Sequence, residues 1–228
     1  MHQNLLAFEK FTGLRLQFLT VVTLLCLVLS PVKAGQFDGD YIVEMIVFER
    51  PSAAIEPASI ERSLRYPGDR RLIDTDVRSG SIKTVTTLSA EQLTLTEEAA
   101  KLRKRGFKVL FHKAWNQYID GKSGPAVAVL GGKNYGGIRE LSGYVSLYVK
   151  RYLHANFDLW LVNEGRVQAD TEEVIRVIEV PSPVSNRPVV GANITSLSRL
   201  TASRRMRSSQ LHYVDHPQLA ILIQISRP

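Results

Sequence analysis

His212 and His216 stand four residues apart, with Tyr213, Val214 and Asp215 between them. On a helix that spacing would put two imidazoles on one face, as a zinc site needs. With His154 as a further ligand, the segment would suit a metal-dependent hydrolase. Pro217 follows at once, however, and biases His216 away from helical geometry. The glutamate that a zinc-protease helix carries beside its first histidine is also missing. The alternative is a turn in which Asp215 and His216 hydrogen-bond backbone groups and dock the last strand. No Gly-x-Ser-x-Gly occurs, and Ser-x-x-Lys occurs only as Ser30-Pro31-Val32-Lys33. Paired carboxylates have no motif to mark them. The chemistry therefore reads as binding, not catalysis, and no cofactor is implied.

A second set of residues suits binding. Arg199, Arg204, Arg205 and Arg207 form a basic run. Guanidinium forks match carboxylates bidentately, and Tyr144, Tyr148, Tyr152 and Tyr213 could stack against sugar faces. The alternative is a solvated edge strand whose charges keep it from aggregating.

The elements that must position these residues are legible in part. Tyr41–Phe48 reads as a strand with Glu44 as its one interior charge. Residues 51 to 90 are polar and carry Pro, Gly and Arg, and read as a long surface excursion. Leu88–Arg105 is the best helix, with Thr94-x-x-Glu97 as a capping box, a basic last turn and Gly106 beyond it. Phe107–Ala114 alternates as a strand, so the order strand, helix, strand gives a βαβ-like opening. Six glycines between residues 115 and 140 read as hairpin turns around a short strand at Ala126–Leu130. They lack the Gly-Lys-Ser/Thr ending of a phosphate loop. From Leu141 to Val162 apolar residues hold the odd positions apart from Gly143 and Arg151, which means one long bent strand or two strands in phase. One face is buried; the other carries Lys150, Tyr152, His154 and Asp158. Glu172–Val180 reads as a strand, Leu197–Met206 is ambiguous, and Leu219–Ile225 closes the chain as a strand. The sum is an α+β fold: an antiparallel or mixed sheet, with one main helix after the first strand, in a single domain following a signal peptide.

The leader is residues 1–34. Lys10 and Arg15 precede the uncharged run Leu16–Leu29, and Ala34 ends a cleavage pattern. The run is short for a membrane span, so no stable membrane insertion is expected after cleavage, although a retained anchor is the alternative. The expected domain, residues 35–228, keeps 194 of the 228 residues, enough for a sizeable core. The leader's three basic residues and one acidic residue leave it +5 of the chain's +7. Outside the cytoplasm, such an excess suits anionic envelope material or serves solubility, and nucleic acid is a poor partner there. Cys26 is the only cysteine and lies in the leader, which excludes disulfides, thiolate catalysis and Cys-ligated zinc from the domain. Leu25 before it argues against lipidation. A disulfide-free exported domain fits a bacterial periplasm, where Asn193-Ile194-Thr195 is a chance glycosylation match.

Four strings carry a resemblance over essentially the whole exported chain. They are YIVEMIVFER, KLRKRGFKVLFHKAWNQ, GYVSLYVKRYLHANFDLWL and SRRMRSSQLHYVDHPQLAILIQI. With them the chain resembles the CsiV family of periplasmic peptidoglycan-binding proteins. The resemblance implies a non-enzymatic role in cell-wall assembly and cell shape in a Gram-negative bacterium. Its implied partners are peptidoglycan and a lipoprotein activator of a bifunctional penicillin-binding protein. The residues expected to bind are Arg151, Tyr152, His154, Arg204, Arg205, Arg207, His212, Tyr213, Asp215 and His216. The rival readings are the metal-dependent hydrolase and a structural subunit that pairs through strand edges.

Overall fold

The computed structural model describes residues 38–50, 72–74, 85–121, 126–135, 138–164, 179–181, 188–190 and 194–228. The leader, most of the 51–90 excursion and most of the Glu172–Val180 strand lie outside these residues.

Two antiparallel-dominated sheets carry the fold. The first is built on β1 (Gly39–Glu49), whose β-branched and aromatic residues suit a strand buried on both faces. Its other members are β3 (Val85–Thr87), β4 (Lys108–Ile119), β12 (Leu211–Asp215) and β13 (Leu219–Ser226), in the order β12-β13-β1-β4-β3. The second contains β2 (Leu72–Asp74), β5 (Ala126–Ala128), β7 (Ile138–Val149), β8 (Leu153–Glu164) and β11 (Ile194–Met206). Its order is β11-β8-β7-β5-β2, with β6 (Gly131–Tyr135) also on β7. The β2–β5 pair is parallel. A separate ribbon joins β9 (Glu179–Pro181) to β10 (Pro188–Val190).

The two sheets face each other across one apolar cluster. Val43, Met45, Trp115, Ile221 and Ile223 come from the first sheet, and Val145, Leu147, Phe157 and Leu159 from the second. The long period-two run from Leu141 resolves into two strands, β7 and β8, which pair antiparallel around Lys150–Tyr152. Their phases agree because Val149 faces Leu153 across that turn. The ambiguous Leu197–Met206 segment is strand. Its alternation of Leu200, Ala202 and Met206 with polar residues lets it pair with β8 from Ile194 to Met206.

The single α-helix among the described residues, α1 (Thr96–Lys104), is half the length that its sequence suggests. The stretch before it holds a short 3-10 turn, Ala90–Gln92, in which Gln92 accepts hydrogen bonds from the Ser89 N–H and hydroxyl. Leu95 and Ala99 seat α1 on Ile46, Phe48 and Ala220, on the face of the first sheet that points away from the second.

The βαβ-like opening is not formed. β2 and β3 intervene before α1, and α1 runs in the same direction as β1. Its start is bound to Glu44, and Phe107 after its end packs on Phe48 at 5.3 Å. The next strand, β4, therefore begins beside the end of β1 and returns antiparallel, with Lys108 opposite Glu49.

Candidate binding site

The outer face of the second sheet is built by the even residues of β7 and β8 and the odd residues of β11. Register alignment makes rows across it: Arg205–His154–Tyr148 at one end, then Ser203–Asn156–Ser146, Thr201–Asp158–Tyr144 and Arg199–Trp160–Ser142. The two ends of this face differ in kind.

One end is internally satisfied. Arg199 donates to both oxygens of Asp158, from Nε at 2.7 Å and Nη2 at 2.6 Å. Trp160 Nε1 donates to the same carboxylate at 3.1 Å, and the Tyr144 hydroxyl reaches it at 3.5 Å. Asp158 and Trp160 are buried. The hydrogen bonds to Asp158 push the Arg199 guanidinium pKa above its ordinary value. Gly143 makes this arrangement possible. Its φ is +133°, and a Cβ there would lie 2.2 Å from the Asp158 carbonyl oxygen.

The other end is open and cationic. Lys150, Arg151 and Tyr152 form the β7–β8 turn, which the Lys150 N–H closes on the Tyr152 carbonyl at 3.1 Å. Arg205, on the neighbouring strand, holds its guanidinium 4.7 Å from the Tyr152 ring centroid, and Arg151 holds its own at 5.6 Å. His154 stacks on Tyr148 at 4.9 Å with the rings 5° from parallel, and Lys150 Nζ lies 5.8 Å from the Tyr148 centroid. All three cations are exposed.

The structure thus brings together four of the residues expected to bind: Arg151, Tyr152, His154 and Arg205. It separates the others. Arg204 pairs with Ala155 and so sits on the opposite face of β11 from Arg205. Arg207 lies in the corner where the chain leaves β11 for the first sheet. There its N–H donates to His212 Nε2 at 3.0 Å.

The His212–His216 segment is not helical. Leu211–Asp215 is an edge strand of the first sheet. Extended geometry sets residues four apart about 13 Å from one another, too far for a shared metal ion. His216 Nδ1 accepts the Gln218 N–H at 3.3 Å, the turn-type contact that was the alternative. Asp215 accepts from Arg50 Nη1 at 2.7 Å and from the Tyr213 hydroxyl at 2.8 Å. Burial first, and then the bond to Asp215, raise the Tyr213 phenol pKa. Among the described residues, no group of three or more His, Cys, Asp or Glu side chains could hold a metal ion.

The sequence points to Tyr148 as a candidate sugar-stacking residue and to Lys150 on the unburied face, but neither is among the residues expected to bind. Sequence reasoning also left Glu44 and His112 without a role. Burial alone would raise the Glu44 pKa. Hydrogen bonds from Thr94 Oγ1 at 2.6 Å, His112 Nε2 at 2.8 Å and the Leu95 and Thr94 N–H groups at 2.9 and 2.8 Å outweigh it and hold the carboxyl below its ordinary value. This cluster fastens α1 to the first sheet. A strand interior with a single charge is the signal that could have found it.

One protein-family model, described as "Peptidoglycan-binding protein, CsiV", matches residues 17–228. No curated protein and no solved structure matches the chain.

Proposed function

Because the chain belongs to the CsiV family of peptidoglycan-binding proteins, we propose that it binds the cell wall in the periplasm of a Gram-negative bacterium and supports wall assembly. The leader would be removed after Ala34, leaving residues 35–228 as the working domain. The protein acts as a binding and regulatory module without catalysis of its own. One surface holds wall polymer, and another meets a lipoprotein activator of a bifunctional penicillin-binding protein.

The observation that carries this reading is the open end of the second sheet. Lys150, Arg151 and Arg205 cluster there around Tyr148 and Tyr152, in a domain that keeps +5 of the chain's net charge of +7. Peptidoglycan offers carboxylates and sugars at high density, and exposed cations raise its local concentration at the protein.

A sedimentation assay with purified insoluble peptidoglycan over a salt series tests it. Retention that persists at physiological salt, where a basic control protein is washed away, is the expected result. Release in step with the control would show that charge alone was acting, and would end this reading. Mass analysis of the protein from periplasmic extract checks the start at Gly35.

A further inference from the structure

At the open end of the second sheet, both tyrosine rings already carry protein groups. Tyr152 has Arg205 at 4.7 Å and Arg151 at 5.6 Å from its centroid. Tyr148 has His154 stacked at 4.9 Å and Lys150 at 5.8 Å. A sugar binds an aromatic residue by lying on its face, so these neighbours compete with it for the rings. Each exposed cation–ring contact is favourable, and its loss would oppose sugar stacking.

The cations are placed for a different ligand. A guanidinium held against a ring by its charge makes no hydrogen bond to it and keeps N–H groups free to donate. Lys150, Arg151 and Arg205 have no carboxylate partner among the described residues. Arg50, Lys101, Lys108 and Arg199 each have one: Asp215, Glu97, Glu140 and Asp158. The shared ring also restrains two long side chains, so less freedom is left for binding to remove.

We infer that this site recognises the free carboxylates of the wall's peptide stems and not the sugar faces of its glycan strands, with Arg151 and Arg205 as the binding forks and Tyr152 as the residue that positions them. The inference rests on the peptidoglycan-binding reading and names the part of the polymer that is read.

The test titrates the purified protein with soluble stem peptides, with the same peptides after amidation of their carboxylates, and with peptide-free glycan strands. Intact peptidoglycan is sedimented in parallel. Stem peptides should bind saturably, amidation should weaken them at least ten-fold, and glycan strands should not bind. Arg151→Gln and Arg205→Gln should each weaken stem binding about ten-fold. Tyr152→Leu should weaken it although it removes no charge, and Tyr152→Phe should restore it. Circular dichroism confirms that each variant is folded.

Glycan strands that bind as well as stems, or amidation without effect, would overturn the inference while intact peptidoglycan still sedimented the protein. Stem binding without retention on intact peptidoglycan would keep the anion site and overturn the wall-binding reading. Absence of stem binding overturns the inference whatever the sedimentation shows.

Discussion

His112 Nε2 lies 2.8 Å from Glu44 Oε1, on the face of the first sheet that α1 covers. The other hydrogen bonds to Glu44 come from Thr94 and Leu95, the residues that open the helix. A carboxylate at a helix start satisfies orphan N–H groups and complements the dipole. One side chain from β1 thus does the work of a cap 50 residues further along the chain.

Stability should fall on acidification because of this residue. The Glu44 carboxyl titrates in the folded protein below its ordinary value of 4.5. Its contribution is therefore complete above that value and is lost as pH falls through the lower folded pKa. Glu44→Gln should lose about 3 kcal/mol at neutral pH and show a flatter acid limb. Urea unfolding from pH 6 down to pH 3 checks both, and a parallel acid limb in the variant would refute the assignment.

Gly143→Ala should unsettle the β7–β8 hairpin more than its size suggests. The added methyl would meet the Asp158 carbonyl at 2.2 Å, on a backbone whose φ of +133° side chains rarely adopt. We expect a loss of roughly 3 kcal/mol or more, read from the urea midpoint. A loss under about 0.5 kcal/mol, typical of an ordinary surface site, would contradict the close approach.

Arg199 and Asp158 should behave as a coupled pair. Asp158→Asn leaves the part-exposed Arg199 guanidinium facing a neutral amide, and should cost about 1–2 kcal/mol, less than a fully buried pair because solvent screens the arginine. Adding Arg199→Gln should recover part of that loss. A double-mutant cycle should give a coupling of about 1–3 kcal/mol. Additive losses would mean that the two side chains act independently.

The Tyr213 phenol should titrate above the ordinary value of 10.0. Asp215→Asn should bring it part of the way down, since burial, the larger cause, remains. Ultraviolet difference spectra against pH would follow it. Removing the exposed Arg50–Asp215 pair should change stability by no more than about 1 kcal/mol, less than the Arg199–Asp158 pair on the other sheet, whose carboxylate is buried.

Much of the strand framework can be read from local pattern. Alternation from Leu141 to Val162 survives as β7 and β8 because burial of one face repeats every two residues whichever way the chain turns. What failed was decided by distant residues. Thr94 and Glu97 match a capping box, yet Thr94 donates to Glu44. The four-residue histidine spacing is meaningful only on a helix, and pairing with β13 makes Leu211–Asp215 a strand. The open site is half legible: Arg151, Tyr152 and His154 follow one another in sequence, but only the register of β11 on β8 brings Arg205 to His154 and not Arg204.

The register of β8 on β11 also determines how the molecule would carry a mechanical load. The pairing runs from Met206 opposite Leu153, beside the turn at Lys150–Tyr152, to Ile194 opposite Glu164. Were a load applied at Tyr152 and resisted at the far end of β11, along the strand axes, the backbone hydrogen bonds of this pairing would share it in shear instead of opening one after another.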